Sequence, residues 1–426
     1  MTLQLQSLAG LLALPALAWL LSEQRGAIGV TRGIRIVAMG LVLQIAIAAL
    51  MLNVPPIRAL FDWPARAVDA LQGATNAGMR LVFGYLAGGP APFAMVKPEA
   101  SFVLALQALP IVLLMSVLSK LLYHWGVLQW VVKGFAWCLR RSMGVSGPVG
   151  TSAAANIFVG MVEAPLLVRP YLMGMSRAAL FATMTVGMAT IAGTMLAVYA
   201  GLLAAKLPGA AGHLIVASVI SAPAALMISA LMVPDPAAGD ADRPSDDTDI
   251  VIADAPASSM DAIAQGTREG VDLLVNITAM LIVAVALVTL LNMALAAVAE
   301  PFGLSLTLER MLGWLMAPLA WLIGIPWQEC GTAGSLLGVK TVLNEFLAYL
   351  QLAALPAEAL SDRSRLILAY ALCGFANMGS LGIMIGGLSA MVPQRRLEIV
   401  ELGAKTIVSG TLATLLTGAV VGVLTA

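Results

Sequence analysis

The chain has 426 residues, of which 60% are hydrophobic and 11% charged, and its 23 basic and 23 acidic residues give a formal net charge of +0. A soluble domain covers its surface with roughly a quarter charged residues, so this composition excludes an ordinary soluble fold; the balanced charge, without a basic stripe, excludes a nucleic-acid partner. Cys138, Cys330, Cys373, His124 and His213 fall in no metal-ligand or disulfide spacing.

In chain order, apolar stretches near 5–22, 33–53, 98–120, 176–204, 208–232, 268–298, 365–389 and 401–425 predict about eight membrane spans. Runs of this length call for helices, since barrel strands alternate over only about ten residues. The fold class is therefore an all-α polytopic membrane protein. The first stretch reads as a span and not a cleaved leader, because no basic residue precedes it and Arg25, Arg32 and Arg35 follow it. Those positives place the first loop in the cytoplasm.

Between the second and third spans, residues 54–97 set Arg58, Asp62, Trp63, Arg66 and Asp69 among apolar residues, which predicts a helix at the membrane interface, with a polar loop helix as the alternative. Two further apolar regions, 143–171 and 311–352, are interrupted by Gly, Pro and polar residues. Irregular backbone at membrane depth survives only against protein or a cavity. Both regions therefore predict re-entrant or discontinuous helices.

Residues 233–261 are rich in Asp, Pro, Ala and Ser, the composition of a disordered linker. The resulting division is 1–142 (first spans and interfacial helix), 143–232 (first hairpin and its helices), 233–261 (linker), 262–310 (long helix) and 311–426 (second hairpin and its helices). Each half holds an interrupted apolar region with an acidic residue, followed by ordinary spans. Paired interruptions of this kind point to a transporter built from inverted repeats, with its site at their interface.

The candidate site follows from the polar residues in those interruptions. In the first, Asn156, Val159, Gly160 and Glu163 precede Pro165; a helix broken there frees carbonyls that, with the Asn156 side chain, can replace the hydration shell of Na+. Glu163 is a carboxylate where hydrocarbon makes one costly, so it handles a solute or neutralises a helix end, for which Arg169 is the available partner. In the second half Asn344 and Glu345 repeat the pattern, with Lys340 nearby as a structural partner. Farther on, Gly374, Phe375, Asn377 and Ser380 join a helix break to hydrogen-bonding side chains and a flat apolar ring. This inventory suits a planar, hydroxylated, uncharged solute. No phosphate loop, metal cluster or nucleophile and base pair accompanies it, so the chain is not read as an enzyme.

With the segments AAANIFVGMVEAPLLVRPYL, MTVGMATIAG, VNITAMLIVAVAL, GSLLGVKTVLNEFLAYL and CGFANMGSLGIMIGG in this order over roughly 98–425, the chain resembles the concentrative nucleoside transporter family. The resemblance implies a Na+- or proton-driven nucleoside symporter of the bacterial inner membrane, a lipid-embedded homotrimer without further cofactor. Each subunit would have eight spans and two re-entrant hairpins, at 143–171 and 311–340, with the broken helix of Asn344 and Glu345 after the second. An elevator mechanism is implied, in which the hairpins and later helices slide past a scaffold of the first three spans and the helix near 262–298. Position by position, it implies that Glu163, Glu345, Asn377 and Ser380 hold the ribose, that Phe375 lies beside sugar or base, and that Asn156, Val159, Thr190 and Ile191 coordinate Na+.

One segment departs from the family pattern. The family's Gly-Gln-Thr-Glu is here Gly160-Met161-Val162-Glu163, so both polar readers of the base are apolar, each a loss of about 1–3 kcal/mol in discrimination. Flexible Met161 suits a bulkier purine ring. A modified nucleoside or another hydroxylated metabolite is the alternative cargo, and a structural or gating membrane protein a more distant one.

Overall fold

A computed structural model describes residues 3–94, 101–235, 256–303 and 306–425, and the regular elements among them are all helical. The first half comprises α1 (Leu3–Leu20), α2 (Val30–Asn53), α3 (Pro55–Phe83), the single turn α4 (Leu104–Gln107), α5 (Ile111–His124), α6 (Val127–Met143), α7 (Gly147–Asn156), α8 (Glu163–Leu166), α9 (Arg169–Leu172), α10 (Arg177–Ala189), α11 (Gly193–Leu203) and α12 (Ala210–Met232). The second comprises α13 (Ser259–Ala299), α14 (Leu308–Leu322), α15 (Cys330–Val342), α16 (Glu345–Ala354), α17 (Asp362–Ala371), α18 (Met378–Met391) and α19 (Arg396–Leu424).

The order from α5 to α12 recurs from α13 to α19. A helix laid against its successor (α6 on α7, α14 on α15) leads to a break, a returning segment (α8 and α9, α16), a helix interrupted in its middle (α10 and α11, α17 and α18) and a continuous helix (α12, α19). The equivalent partners α5 and α13 pack on each other, as do α12 and α19. The repeat inferred from paired interruptions is thus present in the order of the elements. Helices α12 and α19 are buried along most of their length and form the core.

Among the described residues, 7 helical segments are long and apolar enough to cross a membrane. The eighth expected span, 365–389, is α17 with α18, each too short alone. At 10 and 13 residues, α7 and α15 reach about 15 and 20 Å, against a hydrocarbon core of about 30 Å. A chain that stops at that depth has to turn back.

Two expectations are corrected. The stretch 176–204, read as one ordinary span, is interrupted: α10 ends at Thr190, whose backbone is extended (φ −117°, ψ 172°), and α11 restarts at Gly193. The second hairpin, expected at 311–340 with Asn344 and Glu345 beyond it, is formed by α15 and α16, so these two residues are its tip. The chain reverses there because the Asn344 side chain caps a new helix, accepting the Leu347 N–H at 2.8 Å. Gly324 (φ +100°) makes the connection from α14 to α15. Small residues then let α14 lie directly on α15, since a Cβ on Gly334 would meet the Gly313 carbonyl.

The helix predicted within 54–97 is α3; residues 95–97 and most of the acidic linker lie outside the described residues. Polar residues fasten α1 to the second half: Gln6 Nε2 donates to the Ile325 carbonyl at 2.8 Å and Ser7 Oγ to that of Ile323 at 3.2 Å. Helix α2 packs on α12.

At one surface, Arg177 at the start of α10 bridges Glu23 after α1 (2.9 Å) and Glu401 on α19 (2.6 Å), and Lys405 also reaches Glu23. The Arg177 guanidinium, helped by Lys405 and against partial burial, holds the Glu23 carboxyl below its ordinary value of 4.5. A lowered carboxyl contributes stability that is complete above the unfolded value and lost as pH falls through the folded one. Melting of wild type and Glu23→Gln compared across pH should show a gap at neutral pH that closes below 4.5. A constant gap would exclude the ion pairs as its source.

Candidate functional site

The interruptions of the four broken regions meet. In the first half, α7 ends at Asn156, and Ile157–Val162 run irregularly to α8. With its amide oriented by the hydrogen-bond network, Asn156 donates to the Gly160 carbonyl at 3.2 Å and accepts from the Gly187 N–H of α10 at 3.1 Å. The Gly193 N–H donates to the Phe158 carbonyl at 2.9 Å, which joins this segment to the break between α10 and α11. A side chain at Gly193 would collide with that carbonyl. Thr190 is fully buried and donates its hydroxyl to the Val186 carbonyl at 2.9 Å, and Ile191 is fully buried beside it. No donor reaches the carbonyls of Val159 or Ile191 among the described residues. The sequence-predicted set Asn156, Val159, Thr190 and Ile191 therefore lies on two segments joined by one backbone hydrogen bond and by the Asn156 side chain.

In the second half, Glu345 opens α16 and is 5% exposed. Its Oε1 accepts from the Tyr199 hydroxyl of α11 and its Oε2 from Asn377 Nδ2, both at 2.7 Å. Asn377 is fully buried and also caps α18, its Oδ1 accepting the Ser380 N–H at 2.8 Å. This one amide sets both the start of a helix and the place of the carboxylate. Phe375 lies buried in the irregular Leu372–Asn377 segment, and Gly374 sits so near Ala189 that a Cβ would press on its carbonyl. The break of the second half thus rests on that of the first. Tyr199 was not singled out from sequence, being a lone Tyr in an apolar run.

The two tip carboxylates are not equivalent. Glu163 is exposed, folds over Gly160, and forms no hydrogen bond or ion pair among the described residues, with Arg169 or otherwise. Met161 is 7% exposed and packs by Gly187, while Val162 packs against Gly387 of α18. Asn344 has its oxygen committed to its cap. Lys340, weighed as a partner for a carboxylate, donates instead to Thr414 Oγ1 at 2.9 Å.

Sequence profiles for the Na+ dependent nucleoside transporter N-terminus match residues 9–86, for nucleoside recognition residues 105–206, and for the Na+ dependent nucleoside transporter C-terminus residues 213–422. The chain is 39% identical to an uncharacterized transporter of Haemophilus influenzae, over 98% of this chain and 97% of that one. The chain belongs to the concentrative nucleoside transporter family. Its identity to the nucleoside permease NupC of Helicobacter pylori is 35%, over 98% of this chain and 96% of the permease. The inward-facing, substrate-bound structure of CNTnw superposes with a TM-score of 0.87 at 38% identity, covering 99% of this chain and 98% of CNTnw.

As a family member, this protein is a cation-coupled nucleoside transporter of elevator-type architecture, not an enzyme. It is a multi-pass protein of the bacterial inner membrane.

Proposed function

We propose that this transporter imports nucleosides by Na+ symport, with a preference for purine nucleosides. The observation that carries the reading is the Glu345 carboxylate, buried at the meeting of both halves with one neutral donor on each oxygen. A carboxylate oxygen accepts more than one hydrogen bond, so Glu345 retains capacity for a vicinal pair of ribose hydroxyls. Asn377 and Ser380 flank it, Phe375 supplies an apolar face, and Glu163 approaches the solute from the first tip. Asn156, Thr190 and the carbonyls of Val159 and Ile191 offer only oxygen to the coupling ion, a donor set that suits Na+. Na+ binding there draws the first tip and the α10 break into one rigid piece and so prepares Glu163.

The moving body contains the two tips and the helices packed on them. The hydrogen bonds from Gln6 and Ser7 to the connection before α15, and the packing of α2 on α12, support counting α1 and α2 with that body. The scaffold is then α5, the third span, with α13, and without the first two spans. Helix α13 exposes Val283, Leu287, Leu290 and other apolar side chains, a surface for lipid and for neighbouring subunits of a homotrimer. Inward packing of Met161 and Val162 favours a cargo whose base is held by shape instead of polar readout.

Uptake of radiolabelled adenosine, inosine, uridine and an unrelated sugar into vesicles, under separate Na+ and proton gradients, tests the reading. Saturable purine-nucleoside uptake driven by Na+ is expected. Uptake of the sugar alone would move the cargo to another hydroxylated metabolite, and indifference to both gradients would exclude symport. The double substitution Met161→Gln with Val162→Thr should restore donors and acceptors and raise uridine uptake relative to inosine by roughly tenfold. An unchanged ratio would mean that neither position faces the base.

A further inference from the structure

The repeat sets two different groups in equivalent places. In the first half the last turn of α7 ends in a neutral amide, next to carbonyls with no donor, and the tip carboxylate Glu163 has no basic partner among the described residues. In the second half the last turn of α15 carries Lys340, 1% exposed, whose ammonium makes a single hydrogen bond, to the neutral Thr414 of α19. A buried cation in a membrane protein requires compensation. No carboxylate lies within 4.0 Å of it among the described residues. Five residues on, across the tip, Glu345 opens α16, itself buried and hydrogen-bonded only by neutral groups. At the breaks, the second half thus brings one cation and one carboxylate together, while the first half brings the carboxylate Glu163 with no cation beside it among the described residues; the other buried cation of the second half, Arg365, lies away from the breaks on the Pro356–Leu360 carbonyls.

We propose that Lys340 is a cation built into the second half, standing where the first half takes Na+ from solution, so that a single Na+ completes the charge balance of the loaded carrier. This rests on the Na+ and nucleoside assignments above. With Glu163 and Glu345 ionised, Lys340 and one Na+ cancel the charges at the breaks, so that loading adds no net charge there for the body to carry through the hydrocarbon. Without Na+ the breaks hold one negative charge in excess, and an inside-negative potential favours the outward return of the empty body. Lys340 is a positioning residue: it keeps Glu345 an anion inside the protein and touches no solute.

The test uses the full chain. In proteoliposomes with saturating Na+ and nucleoside on both sides, counterflow reads the loaded step alone, and valinomycin with potassium gradients sets the potential. Wild-type counterflow should be indifferent to potential. Lys340→Met should make it potential-dependent, or recruit a second Na+ and raise the Hill coefficient for Na+ from about one towards about two. Counterflow in Lys340→Met as indifferent as wild type, with a Hill coefficient still about one, overturns the proposal. A second measurement needs neither ligand. In detergent, Lys340→Met with Glu345→Gln should melt above Lys340→Met alone, because removing both charges removes the uncompensated one. A double variant no more stable than the single one means that Lys340 serves Thr414 only and also overturns the proposal. Absence of wild-type uptake would count against the nucleoside assignment, while the melting comparison still decides the charge pair.

Discussion

Glu345→Gln is expected to lower nucleoside affinity by roughly tenfold to a hundredfold, the loss of a charge-assisted hydrogen bond of about 1.5–3 kcal/mol. The substitution keeps the shape of the side chain but turns one acceptor into a donor. That donor faces either the Tyr199 hydroxyl or Asn377 Nδ2, each of which now donates to the carboxylate. One buried donor loses its acceptor whichever way the amide turns. Tyr199→Phe removes a donor and leaves Glu345 otherwise held, so its effect should be smaller. Equilibrium binding of labelled nucleoside to the purified variants measures both. Wild-type affinity in Glu345→Gln would remove this carboxylate from the site.

The second large effect is expected at Asn156. Replacing it by Ala deletes the bridge from the half-buried Gly160 carbonyl, which keeps the Ala164 N–H, to the buried Gly187 N–H, a loss of about 1–3 kcal/mol. Because the bridge lies among the oxygens assigned to Na+, the loss should appear as a fall of roughly tenfold or more in apparent Na+ affinity. Nucleoside KM should recover at saturating Na+, which a general loosening of the fold would not permit. Uptake measured against Na+ at fixed nucleoside, and the reverse, separates the two. An unchanged Na+ dependence would place the ion elsewhere.

What the sequence made legible was the polar content of the breaks. Asn344 and Asn377 are both capping residues in extended conformation (φ −165° and −151°) immediately before helices, and a side chain that starts a helix inside an apolar run leaves a readable trace. The α10 break left almost none. Thr190, Ile191 and Ala192 contain no Pro, and the reason for the interruption is tertiary: Gly193 lies under the Phe158 carbonyl. The bounds of the second hairpin were misread for the opposite reason. Gly324 and Pro326 are helix breakers that connect two packed helices, while the tip is marked by a single Asn. Tyr199 was illegible because its hydroxyl matters only through a carboxylate 146 positions away.

One consequence concerns α13. Its first turns carry Asp261, Arg268, Glu269 and Asp272, but residues 273–299 contain no charge and run for about 40 Å. A stretch longer than a hydrocarbon core of about 30 Å is accommodated by leaning. With α13 as the leaning rail of the scaffold proposed above, a body travelling along it moves sideways as well as across, shearing the lipid beside it. Thicker bilayers would stand the rail up and shorten that excursion, so acyl-chain length itself becomes a control on turnover.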